Sequence, residues 1–246
     1  MKKLLFLLSF LTIYSCGDKA NSKSEAQNIV DRSIADAGGD LYKTSNISFD
    51  FRDMDYVLQI VDGRRIMKRM FGKDSSSLVD IVGPNGFQRF VNDKLIHVSD
   101  SMANVFSNSI NSVHYFAYLP YGLNDPAVNK ELLGEINLKG AGYYKVKVTF
   151  DQNGGGDDYE DAYIYWFNKK TYKADYLAYE FHTDGGGIRF RKAYNERYVN
   201  GLRFVDYENY RTVDRTSSIL NIDSLFLRNK LKPLSKIELK NIKVTR

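Results

Sequence analysis

At 246 residues, with a formal net charge of +5 and a single cysteine, Cys16, the chain is long enough for one large domain, and it excludes intramolecular disulfides and any cysteine-built zinc site. The positive charge is mild and spread along the sequence, which argues against a dedicated nucleic-acid binder, where a concentrated basic stripe is expected. The three histidines, His97, His114 and His182, share no two- or four-residue spacing, so no metal-ligand set and no cofactor is implied.

Residues 1–15 read as an export signal. Lys2-Lys3 form a basic start, and Leu4 to Ile13 form an apolar run too short to span a bilayer. Ser15 then stands immediately before Cys16. A small residue before a cysteine in that place resembles the bacterial lipobox. The resemblance implies cleavage before Cys16, acylation of that cysteine and a permanent lipid anchor. The 231 residues from Cys16 onward lose Lys2 and Lys3 and carry +3. Residues 16–24 read as the lipidated cysteine and a flexible polar tether, and residues 25–246 as a single domain.

Ser24-Glu-Ala-Gln27 is a capping-box pattern. Ala26, Ile29, Val30, Ile34 and Ala37 then mark one helical face, and Gly38-Gly39 ends the helix. From Ile47 the period changes to two. Ile47, Phe49 and Phe51 alternate with polar residues, and Tyr56 to Val61 joins Ile66 to Phe71 through the hairpin signal Asp62-Gly63. Leu78 to Val82, Phe87 to Val91 and Leu95 to Val98 continue an antiparallel meander.

Ser99-Asp100 predicts the start of a second helix, with a stripe of Met102, Val105, Phe106, Ile110, Val113, Phe116 and Ala117, stopped by Pro120. Asp125-Pro126 predicts a short helix to Leu133, ended by Gly134. A second meander follows. Its centre is Ala162-Tyr-Ile-Tyr-Trp-Phe-Asn168, returning through Lys169-Lys170-Thr171 into Tyr172 to Phe181. Neither face of the return arm is purely polar, so both faces of this region are expected to be covered. Asn200-Gly201 predicts a type I′ hairpin, Ile222 to Asn229 a short helix, and Ile237 to Val244 a last strand.

Helix, meander, helical insert, second meander, on a lipoprotein: this order, with the hairpin Trp166-Phe-Asn-Lys-Lys-Thr171, resembles the outer-membrane lipoprotein carriers of the LolA/LolB type. Three longer stretches, Ser109 to Val128, Gly186 to Asn195 and Asn200 to Tyr210, resemble a family of Gram-negative envelope lipoproteins with no established activity. The resemblance implies a mainly β (α+β) fold: a strongly bent, incompletely closed antiparallel sheet or half-barrel with an N-terminal helix and a central helical insert. It also implies a place in the cell envelope, at the outer membrane facing the periplasm.

Candidate chemistry is sparse. Asp151 to Asp157 overlaps the start of a calcium loop, but Ala162 stands where the bidentate carboxylate belongs, so the plain reading is an acidic hairpin loop. Ser109 or Ser112 with His114 and Asp125 has the residue types of a nucleophile, base and orienter, but no nucleophile elbow presents either serine. The remaining feature is an aromatic load of 18 Tyr, 15 Phe and one Trp. Most must be core. Phe106, Tyr115, Phe116, Tyr118, Trp166 and Tyr179, with His114, are the candidates for a ligand cavity where the helical insert meets the sheet. The leading expectation is a non-enzymatic lipid-anchored protein that binds an acyl chain or another apolar metabolite. The alternatives are a scaffold with a filled core and a protein partner, and a hydrolase using His114.

Overall fold

The aromatic run Ala162–Asn168 buries side chains on both faces, and this sets the layering of the molecule. In the computed structural model, Tyr165 and Phe167 point into the main core while Ile164 and Trp166 point into a second cluster on the opposite face. A strand whose successive side chains alternate faces can be continuously apolar only when both faces are covered. The structure describes residues 17–71, 77–156, 159–182, 185–214 and 216–246, with the backbone alone for 17–20.

The chain opens with α1 (Gly17–Asp36) and the single turn α2 (Leu41–Thr44). A first meander follows: β1 (Asn46–Phe51), β2 (Met54–Val61), β3 (Arg64–Phe71), β4 (Leu78–Gly83), β5 (Gly86–Val91) and β6 (Lys94–Ile96). Helix α3 (Asp100–Ala117) and a 3₁₀ turn at Tyr121–Asn124 separate it from the second meander. That comprises β7 (Val128–Leu138), β8 (Ala141–Phe150), β9 (Ala162–Asn168), β10 (Ala174–Phe181), β11 (Gly187–Val199) and β12 (Leu202–Arg211). Helix α4 (Ile222–Leu227), β13 (Lys232–Ile237) and β14 (Leu239–Thr245) complete the chain.

Among the described residues, the strands form two seven-stranded antiparallel sheets, in the orders β14-β1-β2-β3-β4-β5-β6 and β13-β12-β11-β10-β9-β8-β7. Because β13 and β14 are consecutive, separated only by Glu238, one stretch of chain is the edge of both sheets. The other two edges, β6 and β7, do not pair, so the sheet is bent but not closed into a barrel. This is the expected half-barrel.

At the switch between sheets, Asp206 on β12 is 2% exposed. It accepts from the Leu239 amide at 3.0 Å, from Arg197 Nη2 at 2.9 Å and from Asn195 Nδ2 at 2.6 Å. Arg197 Nη2 also donates to the Leu239 carbonyl at 2.7 Å. A register shift in β11 between Tyr194 and Arg197 places Arg197 there. The kink is therefore satisfied by side chains where ladder bonds are interrupted.

Helix α1 buries Ala26, Ile29, Val30 and Ile34 in the main core. It begins at Gly17, ahead of the expected capping box, and Ser22 Oγ donates to the Leu132 carbonyl at 2.9 Å, so part of the expected tether is helical. Gly38, at φ +124°, ends the helix region against the β11–β12 turn; a Cβ there would lie 2.6 Å from Leu202 Cδ2. The hairpin signals at Asp62-Gly63 and Asn200-Gly201 hold, with positive φ at all four residues.

The expected helix from Asp125 to Leu133 is instead the first half of β7. Its residues pair with β8 from Val128↔Phe150 onward, and Gly134 marks a bulge, not a helix end. The α3 stripe is covered only in part: Ile110, Val113, Phe116 and Ala117 are buried, while Met102 and Val105 are exposed.

His114, on α3, lies within the main core. It is 1% exposed, with Phe49 and Tyr56 edge-on to its ring, and Nδ1 shares a 2.8 Å hydrogen bond with the Tyr118 hydroxyl. Burial pushes its pKa down to about 3, with Arg65 adding to the effect and the Lys68 carbonyl opposing it. It shares no hydrogen bond with Ser109, Ser112 or Asp125; Ser109 Oγ accepts from Arg69 instead. The expected nucleophile–base–orienter set is not assembled, because a helix position facing the core cannot also face a substrate.

Asp206→Ala leaves Arg197 and the Leu239 amide without their carboxylate, and is expected to cost about 3–5 kcal/mol in urea unfolding. For His114, the folded pKa lies below the unfolded value, so the unfolded chain takes up the proton first. Stability should therefore fall as pH drops below about 6.5, by about 2 kcal/mol between pH 7 and pH 5. His114→Gln, compared by urea unfolding at both pH values, should lack that component.

Candidate functional site

A cavity of about 600 Å³ lies between α3 and the β8–β11 part of the second sheet. Helix α3 is placed over the concave face by the opposing requirements of its two sides. One side meets the first sheet through a buried charge cluster. Asp80 on β4, fully buried, accepts from Arg69 on β3 at 2.8 Å and from Arg89 on β5 at 2.6 and 2.9 Å. These three residues are direct cross-strand neighbours. Arg69 continues to Ser109 on α3, and the Arg89 guanidinium lies 3.9 Å from the Phe106 ring centre. The other side of α3 faces the second sheet and leaves the cavity between them.

The helix wall of the cavity is Asn108, Asn111, Ser112, Tyr115, Phe116 and Leu119. Asn111 and Ser112 are solvent-exposed, so they stand at its mouth. The sheet wall is Phe150, Tyr163, Leu177, Tyr179 and Phe181, with Arg189 and Arg191 of β11. Gly154–156 and Asp161, from the loop between β8 and β9, complete it. Gly155 has no room for a side chain: a Cβ would lie 2.2 Å from the Asp151 carbonyl oxygen and 2.9 Å from Phe150 Cβ.

The aromatic wall is internally braced. Tyr115 and Tyr165 share a 2.9 Å hydrogen bond between hydroxyls, Tyr163 stacks on Tyr179 at 5.5 Å, and Phe150 meets Tyr163 edge-on at 5.6 Å. Burial pushes the Tyr115, Tyr163 and Tyr165 phenols up, so they stay neutral over the whole physiological range.

Of the seven residues expected at the cavity, the structure brings three together there: Tyr115, Phe116 and Tyr179. The other four are elsewhere. His114 and Tyr118 are core residues beneath α3. Phe106 packs on Phe87 and Arg89 at the first sheet. Trp166 belongs to the second cluster on the outer face, where its Nε1 donates to Asp223 of α4 at 3.3 Å. Asp223 also receives Lys145 at 2.5 Å. Cys16 lies outside the described residues, as does Asp157 of the expected acidic loop; Asp151 accepts from Asn129 at 2.7 Å.

Arg189 and Arg191 were not among the expected residues. Their signal was present in the alternation Ile188-Arg189-Phe190-Arg191, which puts two arginines on one face of a strand. Ile188 and Phe190 belong to the outer cluster, so the arginines face inward.

Comparison with solved structures finds distant similarity along most of the chain. A LolA superfamily protein from Nitrosomonas europaea is 10% identical, with 90% of this chain and 91% of that one covered and a TM-score of 0.47. A DUF1329 family protein from Desulfovibrio piger is 11% identical, with 89% and 92% covered and a TM-score of 0.39. The lipoprotein LppX from Mycobacterium tuberculosis is 11% identical, with 68% and 92% covered and a TM-score of 0.31. No curated protein sequence matches the chain. At the level of sequence families the match is to a family of unknown function over residues 75–239, more than half the chain, and the chain belongs to that family, DUF6503.

Proposed function

We propose that this is a lipid-anchored protein of the cell envelope, attached through Cys16, that holds a hydrophobic small molecule between α3 and β8–β11. The observation that carries the reading is the cavity itself. Its volume of about 600 Å³ falls within the range of about 300–1,000 Å³ that accommodates a small organic ligand. Its walls offer Phe116, Leu119, Phe150, Leu177 and the rings of Tyr115, Tyr163 and Tyr179. Burying an acyl chain against such a surface is favourable by about 0.8 kcal/mol per CH₂.

The alternatives fit the interior less well. A scaffold with a filled core would leave no such space. A hydrolase would need His114 at the cavity, and His114 is enclosed by Phe49, Tyr56 and Tyr118. The lipid anchor and the outer-membrane location rest on residues 1–16 and on the resemblance to envelope lipoproteins.

The chain from Gly17 to Arg246 should take up the neutral fluorophore N-phenyl-1-naphthylamine with a blue shift and saturable enhancement. Ser112 is exposed at the mouth, and its hydroxyl donates within its own helix, to the Ser109 carbonyl. Ser112→Trp should therefore narrow the entrance and weaken uptake at least about tenfold while leaving the thermal unfolding temperature unchanged, an effect of about 1.4 kcal/mol on binding. Unsaturable or absent enhancement in the parent protein overturns the reading.

A further inference from the structure

We infer that the ligand of this cavity is an anionic amphiphile whose oxyanion head sits on Arg191 and Arg189 while its chain lies along Phe116, Leu119 and Leu177. The inference deepens the binding role proposed above and rests on it.

Arg189 and Arg191 differ from the other interior arginines in lacking a matching carboxylate among the described residues. Elsewhere in the interior, arginines have carboxylate partners. Arg69 and Arg89 share Asp80, Arg197 binds Asp206, and Arg203 binds Glu196. Arg191 and Arg189 form no salt bridge among the described residues. Arg191 donates from Nη2 to the Tyr179 hydroxyl at 3.2 Å, and its guanidinium lies 5.1 Å from the ring centres of both Phe116 and Tyr179. Its Nε is buried and has no hydrogen-bond partner among the described residues. Among the described residues, Arg189 donates to the adjacent Ile188 carbonyl at 3.2 Å, and its guanidinium lies 4.7 Å from the Phe181 ring centre.

Aromatic faces hold a guanidinium in place without neutralising it or satisfying its in-plane donors. Asp161, on the same wall, has His182 Nδ1 at 3.4 Å from its carboxylate. Among the described residues, the wall carries two guanidinium groups and one carboxylate, a net positive charge. A buried donor without a partner is costly, and a carboxylate or phosphate that approaches in the guanidinium plane supplies two parallel acceptors. The same guanidinium rests on Phe116, so the polar end of the ligand and the start of its apolar track meet at one residue pair. A neutral lipid would leave the guanidinium charge unmatched; a short inorganic anion would leave the apolar wall empty.

Competition against bound N-phenyl-1-naphthylamine separates the possibilities, using dodecanoate, dodecyl phosphate and dodecanol on the chain from Gly17 to Arg246. Dodecanoate or dodecyl phosphate should displace the fluorophore at concentrations at least about tenfold below dodecanol, and the more potent of the two identifies the head group. Arg191→Gln should erase that preference, with circular dichroism and the thermal unfolding temperature reporting that the variant is folded; Arg189→Gln should reduce the preference in part. Equal potency of acid, phosphate and alcohol in the parent protein overturns the anionic assignment and leaves the hydrophobic-cavity reading standing. Failure of all three to bind or displace, together with no fluorophore uptake, overturns both.

Discussion

The architecture depends on one stretch of chain serving two sheets. Lys232–Ile237 extends β12, and after Glu238 the next residue, Leu239, opens the strand that extends β1. Such a switch interrupts the ladder, and interrupted ladders leave backbone groups that must be satisfied another way. Asp206 and Arg197 do this by binding the Leu239 amide and carbonyl. With that side joined and β6 and β7 left apart, the fourteen strands form an open trough. The trough is what creates an interior large enough for a helix and a cavity together.

Helix α3 divides that interior into two unlike halves. Toward the first sheet the contact is closed, by the Asp80 cluster and by the aromatic packing around His114. Toward the second sheet, the paired hydroxyls of Tyr115 and Tyr165 bridge α3 to β9. The difference follows from the strands opposite. On β3–β5, Arg69, Asp80 and Arg89 are adjacent across the sheet and neutralise each other while reaching the helix. On β11, Arg189 and Arg191 lie two apart on one strand and repel, so they draw on aromatic rings instead.

The outer face of the second sheet is covered by a separate layer. Ile219, Ile222, Leu231 and Phe226 close over Trp166, Tyr176 and Phe190, and Asp223 binds both Lys145 and the Trp166 indole. This cover explains the aromatic richness of β9 and β10 without assigning it to ligand binding. Most of the tyrosines and phenylalanines are structural, and the cavity takes only the portion on the inner face of β8–β10 and on α3.

Much of this was legible in the sequence. Period-two patterns, Asp62-Gly63 and Asn200-Gly201 located strands and hairpins, because side-chain alternation and positive φ are local properties. The apolar stripes located α1 and α3. What failed was Asp125 to Leu133: a cap followed by proline starts a helix locally, but pairing along the whole of β8 outweighed that preference. Tertiary structure alone decided which aromatics line the cavity. Where both faces of a sheet are buried, alternation separates Trp166 from Tyr165 but does not say which faces inward; that is set by where α3 and α4 dock. The same holds for Arg189 and Arg191, whose shared face is written in the sequence and whose place in a cavity is fixed only by the bend of the sheet.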